Sequence, residues 1–123
     1  MATNVFANAG KAIVTNRLRG SGTEPLYVAW GTGAGTSAQT DTTLFTESSE
    51  ARVAGASSQV TVGTTNDTYQ VVGTMVAGGA RTITNAGLFD ASTAGNMFMK
   101  GDFTGVVLAT GESIQFTNQV QFT

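Results

Sequence analysis

The sequence predicts a mainly β protein, an antiparallel β-sandwich or jelly-roll-like domain with a short N-terminal helix or arm. From Glu24 onwards, short segments rich in branched and aromatic residues alternate apolar and polar side chains at every second position. Compact stretches rich in Gly, Thr, Asn and Asp separate these segments, as turns do in all-β domains. A helical pattern is confined to the residues before Gly20, so helices contribute little to the predicted fold.

The N-terminal residues carry apolar side chains at roughly helical spacing. They are Val5, Phe6, Ala9, Ala12 and Ile13. The candidate caps are Thr3 and Asn4 at the start, and Gly20 and Gly22 at the end. Gly10 interrupts the pattern at a cost of about 1 kcal/mol relative to Ala. We therefore expect a helix or docked arm between Asn8 and Arg19. It belongs to an N-terminal segment (1–22) that joins a β-sandwich region (23–123) in a single domain.

The first predicted strand, residues 26–30, is rich in aromatic and branched side chains. The glycine-rich stretch 31–37 that follows is a loop by composition. No helix pattern comes after it, which disfavours a dinucleotide-binding loop. Residues 41–50 are ambiguous, and Leu44 and Phe45 are the side chains that could anchor this connection to the core.

The central strands are predicted from alternation and from one change of phase. Residues 51–62 end with Val60 and Val62 on one face of a strand. Residues 69–75 are apolar on parts of both faces, so we place this strand in the interior of a sheet. In residues 81–89, the apolar positions change parity, which predicts a β-bulge near Asn85 or Gly87.

The last two strands are predicted between residues 97 and 122. Met97, Met99 and Phe103 share one face of the first, and Phe98 lies on the other. Phe98 is therefore either exposed as a contact residue or covered by a second sheet or the N-terminal helix. The final strand alternates most regularly. Its apolar positions are Ile114, Phe116, Val120 and Phe122, and the polar Asn118 shares their face without an explanation in the pattern.

The composition favours a component of an assembly over an enzyme. The 123 residues include no histidine and no cysteine, and 11% are charged, against roughly 25% in an average domain. Most acid/base, nucleophilic and transition-metal chemistry uses His or Cys, so we expect no catalytic site, cofactor or metal. A net charge of -2 with scattered basic residues disfavours nucleic-acid binding. No signal peptide or membrane-spanning segment is predicted, and no membrane partner is expected.

Three stretches together carry a resemblance to a known class. They are LYVAWGTG at residues 26–33, TNAGLFDA at 84–91 and GESIQF at 111–116. In this order, after a short helical segment, the chain resembles small virion structural proteins of tailed bacteriophages, which are labelled capsid decoration (cement) proteins or tail-fibre proteins. The resemblance implies a β-rich domain that forms homo-oligomers, often trimers. The chain contains no heptad region, collagen-like repeat or extended stalk, and this favours the capsid.

The leading functional hypothesis is a capsid decoration protein on the exterior of the virion. It would bind the major capsid protein and bridge neighbouring subunits of the assembled shell, which stabilises the shell by mass action. The candidate contact residues are Phe6, Ile13, Leu18 and Phe98. The alternative is a tail-fibre or tail-base component that contacts tail proteins or the host surface. A more remote alternative is a carbohydrate-binding module, in which Trp30 and Tyr27 would stack on sugars.

Overall fold

The computed structural model describes residues 3–123 as two antiparallel sheets and one helix. The strands are β1 (Thr3–Phe6), β2 (Tyr27–Gly31), β3 (Val53–Ala54), β4 (Ala56–Val60), β5 (Thr68–Val76), β6 (Arg81–Phe89), β7 (Met97–Leu108) and β8 (Ser113–Gln121), and the helix α1 spans Asn8–Leu18. No helix in the described range is long and apolar enough to cross a membrane.

The larger sheet has the strand order β1-β7-β6-β2-β3, and the smaller sheet has the order β4-β5-β8. Every pair of neighbouring strands is antiparallel. β5 is the central strand of the smaller sheet, as its two partly apolar faces predict. The two sheets pack face to face. The predicted fold class, mainly β with a short N-terminal helix, is therefore confirmed.

The main core lies between the two sheets and combines their inward-facing side chains. Trp30 of the larger sheet is fully buried and lies edge-on to Phe116 of the smaller sheet, with ring centroids 6.3 Å apart. Burying one large apolar side chain contributes about 1.5–3 kcal/mol. Asn118 sits on the apolar face of β8, and its Nδ2 donates to the Val71 carbonyl at 3.3 Å. This bond satisfies the buried amide.

One side of the sandwich is closed by a corner at Gly55, where the chain passes from β3 in the larger sheet to β4 in the smaller one. The Gly55 amide donates to the Leu26 carbonyl at 2.9 Å. A Cβ at this position would lie 2.5 Å from Cγ1 of Val71, so a side chain is excluded. The opposite side, between β8 and the β1–β7 edge, has no such connection among the described residues.

The predicted β-bulge is confirmed, because the register of β6 on β7 shifts between Ile83 and Asn85. The strand predicted over residues 51–62 ends earlier than expected. β4 ends at Val60, and Val62 lies beyond it and is exposed. The pattern of alternating valines continues past the last backbone pairing with β5.

A second register shift, between Leu88 and Phe89, corrects the predicted face of β7. Met97 packs in a separate cluster on the outer side of the larger sheet, whereas Met99 and Phe103 pack against the main core. The shift leaves Phe98 as an extra residue in β7, and its side chain packs in the main core, where it is 2% exposed. The shared face expected for Met97 and Met99 is therefore wrong, because alternation fails across the shift.

The N-terminal segment contributes a strand as well as the helix. Thr3–Phe6 pairs with β7, so Phe6 lies in an extended strand and not at the start of a helix. α1 begins after Ala7, which makes no side-chain cap, and so the expected caps are wrong. The predicted C-terminal end is confirmed. Gly20 adopts a φ of 78°, and its amide donates to the Arg17 carbonyl in a Schellman arrangement.

Residues 32–50, named here the covering segment, lie across the outer face of the larger sheet. Leu44 is buried against that face, which confirms its predicted role as an anchor. Three polar side chains of β6 and β7 hold the segment in place. Asn85 exchanges two hydrogen bonds with the backbone of Phe45, Asp102 accepts from the Ser37 amide at 2.8 Å, and Lys100 donates to Asp41 and to the Thr43 carbonyl, both at 2.9 Å.

Candidate interaction surface

Helix α1 packs closely on β7 because its first turn contains a glycine. A Cβ on Gly10 would stand 2.2 Å from the Phe98 carbonyl oxygen and 2.7 Å from the Phe6 ring. The glycine that weakens the helical pattern is therefore required by the packing. The Ala7 amide also donates to the Phe98 carbonyl at 3.2 Å, which fixes the start of the helix on the strand.

Between α1 and the smaller sheet is an open apolar cleft of about 320 Å³. We call it the helix cleft. Its lining residues are Ile13, Val14, Arg17, Leu18, Glu24, Pro25, Tyr69, Phe98 and Phe122. Most of this surface is hydrocarbon, with one charge of each sign at the edge. Concave apolar surfaces with a few polar groups at the edge are typical of binding sites.

The four contact residues expected from the sequence all lie at or next to the helix cleft. Ile13 and Phe98 form its floor, where they are 6% and 2% exposed. They are therefore core residues, because α1 packs on β7 and covers them. Of the two alternatives for Phe98, the covered one is found, and a contact with a partner stays a prediction for both residues. Phe6 is half-buried behind them, with its ring 5.2 Å from that of Phe98. Leu18 is 81% exposed at the edge of the cleft.

Two further residues of the helix cleft were not singled out from the sequence as contacts. Phe122 is 46% exposed and lies edge-on to Phe6, with ring centroids 6.0 Å apart. Tyr69 lies edge-on to Phe98 at 5.7 Å. Both fall on predicted apolar strand faces, which indicates burial but gives no sign that the two strands meet the helix at one place.

Tyr69 gives the cleft its fixed polar group. Its hydroxyl donates either to the Pro25 carbonyl at 2.8 Å or to Oε2 of Glu24 at 3.0 Å. Burial, and then the neighbouring carboxylate of Glu24, raise the pKa of Tyr69 well above its ordinary value of 10.0. Arg17 lies across the cleft and donates to the Gly22 carbonyl at 3.0 Å. The cleft therefore keeps a neutral, hydrogen-bonded tyrosine against its apolar floor.

Trp30, the residue expected to stack on sugars in the carbohydrate-binding alternative, is fully buried. Its Nε1 donates to Glu50 at 2.9 Å, and Glu50 also accepts from the Ser48 hydroxyl and from the Gly78 amide at 3.1 Å and pairs with Arg81 at 3.1 Å. The hydrogen bond from Ser48 lowers the pKa of Glu50 most, and burial of the carboxylate acts in the opposite direction. With the hydrogen bonds from Trp30 and the Gly78 amide, the pKa falls to about 2. This cluster binds the end of the covering segment to the core, and Trp30 presents no surface to a glycan.

Within residues 3–123, no group of three or more His, Cys, Asp or Glu side chains is arranged to hold a metal ion. Two accessible surfaces carry little charge: the apolar side chains around the helix cleft and the uncharged polar side chains on the smaller sheet. Such surfaces can bury against another protein without desolvating an ion.

Comparison with known proteins gives one family. The family model described as Podophage GP4 fiber I protein gp80 matches residues 5–122. No curated protein and no solved structure gives a significant match. The family match covers both sheets, α1 and the helix cleft. The chain therefore belongs to the family of Podophage GP4 fiber I protein gp80, and it is a small phage virion structural protein.

Proposed function

We propose that this chain is a structural subunit of a phage tail fibre and that the helix cleft binds a neighbouring virion protein. The observation that carries the proposal is the helix cleft itself, in which exposed Leu18 and Phe122 stand beside a preformed apolar floor. The description of the family as a fibre protein supports a fibre over a capsid location.

The cleft favours an apolar side chain or short apolar segment of the partner. Covering Leu18 fully would contribute about 1.5–3 kcal/mol, and Phe122 would add to it. Arg17 and Glu24 at the edge carry opposite charges, so they can select the orientation of a partner that presents a complementary pair. A few such buried anchors account for most of the binding energy in typical interfaces.

Capsid decoration is the second candidate function. It is supported by the low charge of the chain and by the lack of a heptad, a collagen-like repeat or a stalk in the sequence. In this alternative the same cleft would bind the major capsid protein on the outside of the assembled shell.

Copy number and position in purified particles test the two candidates. We expect quantitative mass spectrometry to find few copies for each particle, and gold labelling of the chain to mark the tail. A ratio near one copy for every one or few major capsid subunits, with label over the shell, would replace the fibre proposal with capsid decoration. Absence from purified particles would overturn both.

Substitution of Leu18 tests the cleft as the contact. We expect Leu18→Ser to lower incorporation into particles by roughly tenfold, which corresponds to about 1.4 kcal/mol of lost contact energy. Val107→Ser is the matched control, since Val107 is 78% exposed and lies outside the cleft. Equal incorporation of both variants would contradict the assignment of the cleft.

A further inference from the structure

β8 forms a long edge of the smaller sheet. Ser113–Gln121 pairs with β5 through nine consecutive residues without a register shift. No other strand in residues 3–123 pairs with its second side. The backbone N–H and C=O groups on that side are therefore available to another strand.

The other edges of the two sheets are protected in ways that β8 is not. β3 has two residues, the described β1 has four, and β4, which begins directly after the corner at Gly55, has five. β7 extends beyond β1, but three of its residues lie opposite the single Thr84 of β6, and this bulge distorts its free side. β8 contains no proline, charged residue or bulge, which are the features that usually prevent edge pairing.

We propose that β8 pairs in an antiparallel manner with β8 of a second copy of this chain, across a two-fold axis at Thr117. The two smaller sheets then form one continuous six-stranded sheet. This interface is separate from the helix cleft, and it does not depend on where the protein lies in the virion.

The register follows from the side-chain pattern of β8. Apolar and polar faces stay aligned across the new pair only if each even-numbered residue meets an even-numbered residue of the second copy. Among those registers, the one centred on Thr117 pairs all nine residues of Ser113–Gln121. It places Ile114 opposite Val120 on the core side and Gln115 opposite Gln119 on the outer side.

The lack of charged side chains on β8 supports a second copy of the chain as the partner of this edge. Near a two-fold axis each side chain meets its own copy or a close neighbour, so a charged residue there would face a like charge. The outer-face residues of β8 and the facing positions of β5 are Ser, Thr, Gln and Val. Gln119 already donates to Gln70 across the sheet at 2.7 Å. Pairing at Thr117 continues this row of amides to Gln115 of the second copy.

A second β8 would also cover apolar surface on the open side of the sandwich, between β8 and the β1–β7 edge. A cavity of about 350 Å³ lies there, and its lining includes Phe103, Phe116 and Asn118. Phe103 and Phe116 are half-buried, although their rings pack together with centroids 6.3 Å apart. The inward-facing side chains of a second β8 would lie over this cavity and extend the core.

Cysteine cross-linking tests the register directly, because the chain has no native cysteine. Opposed residues in an antiparallel pair have Cα atoms about 4.5–5.5 Å apart, within the range of roughly 4.4–6.8 Å that a disulfide spans. We expect Thr117→Cys to form a covalent dimer under mild oxidation. Thr74→Cys, on the same outer face but on β5, should remain monomeric on a non-reducing gel.

A charge at the axis gives the second measurement. We expect light scattering of the purified protein at micromolar concentration to give the mass of two chains. Thr117→Lys should reduce it to one chain, whereas Ser58→Lys, an exposed position on the opposite edge strand of the same sheet, should leave the dimer intact. A monomeric native protein, an oligomer that tolerates Thr117→Lys, or equal cross-linking of both cysteine variants would overturn the proposal.

Discussion

The outer faces of the two sheets differ in what covers them. The larger sheet is overlaid by the covering segment of its own chain, and the polar residues Asn85, Lys100 and Asp102 on that face are all used to hold it. The outer face of the smaller sheet carries no such segment. Its side chains are Ala56, Ser58, Val60, Thr68, Gln70, Val72, Thr74, Val76, Ser113, Gln115, Thr117, Gln119 and Gln121.

This contrast separates the role of the two faces. A buried lysine needs a fixed counter-ion and acceptors, and Lys100 finds them in Asp41 and the Thr43 carbonyl. The bonds from the Ala38 amide and from Lys100 hold the pKa of Asp41 below its ordinary value. The larger sheet is therefore closed by interactions within the chain. The smaller sheet has no charge to desolvate, so its outer face and its β8 edge remain suited to contact with other subunits.

The largest loss of stability is expected when the contacts between the covering segment and the larger sheet are removed. Lys100→Ala removes the pair with Asp41 and leaves the Thr43 carbonyl without its donor, which should cost about 3 kcal/mol of unfolding free energy. Urea unfolding measures this loss. The control is Lys11→Ala on the exposed side of α1, for which we expect a change of roughly 0.5 kcal/mol or less. Equal effects for the two variants would show that the covering segment is not held by Lys100.

An intermediate effect is expected at Glu50, where the covering segment ends. Glu50→Gln should cost about 1–3 kcal/mol at neutral pH, because Gln is a poorer acceptor for Trp30 and leaves Arg81 without its carboxylate.

The same residue predicts a dependence on pH. The pKa of Glu50 falls from 4.5 to about 2 in the folded chain. Its contribution is therefore fully present above pH 4.5 and is lost as the pH falls towards 2. We expect the native protein to lose stability across this interval more steeply than Glu50→Gln. Parallel pH profiles for the two proteins would contradict the assigned role of the carboxylate.

The smallest effect on stability is expected on the uncovered surfaces. Leu18→Ala and Thr74→Ala each remove an exposed side chain, so the midpoint of thermal unfolding should stay within the change expected for about 0.5 kcal/mol. A loss above about 1 kcal/mol for Leu18→Ala would mean that Leu18 supports the fold itself, and its exposure would then not mark a contact site.

Strand alternation predicted much of this fold, because β5 and β8 each have one face in the main core. It failed where pairing with a distant strand decides the structure. Val5 and Phe6 fit a helical spacing, yet they form β1 because β7 offers them a free edge. The shift at Leu88–Phe89 is likewise a property of two strands together, and it moved Phe98 into the core.

The candidate surface was predicted in part. The sequence identified Leu18 and the apolar residues beneath it, but alternation cannot tell a side chain that forms the floor of a cleft from one on its edge. Lys100 falls at a polar position of a strand, which indicates exposure. Its burial depends on Asp41, 59 positions away in the chain, and no local pattern reveals that pairing.

The most direct test of the account is hydrogen exchange of the chain free in solution and assembled in particles. We expect assembly to slow amide exchange in α1, which flanks the helix cleft, whereas β8 should exchange slowly in both states because its edge is already paired in the dimer. Exchange in the covering segment should not change, because its contacts are complete within the chain. Protection that appears in residues 32–50 instead, or no added protection in α1, would contradict this expectation.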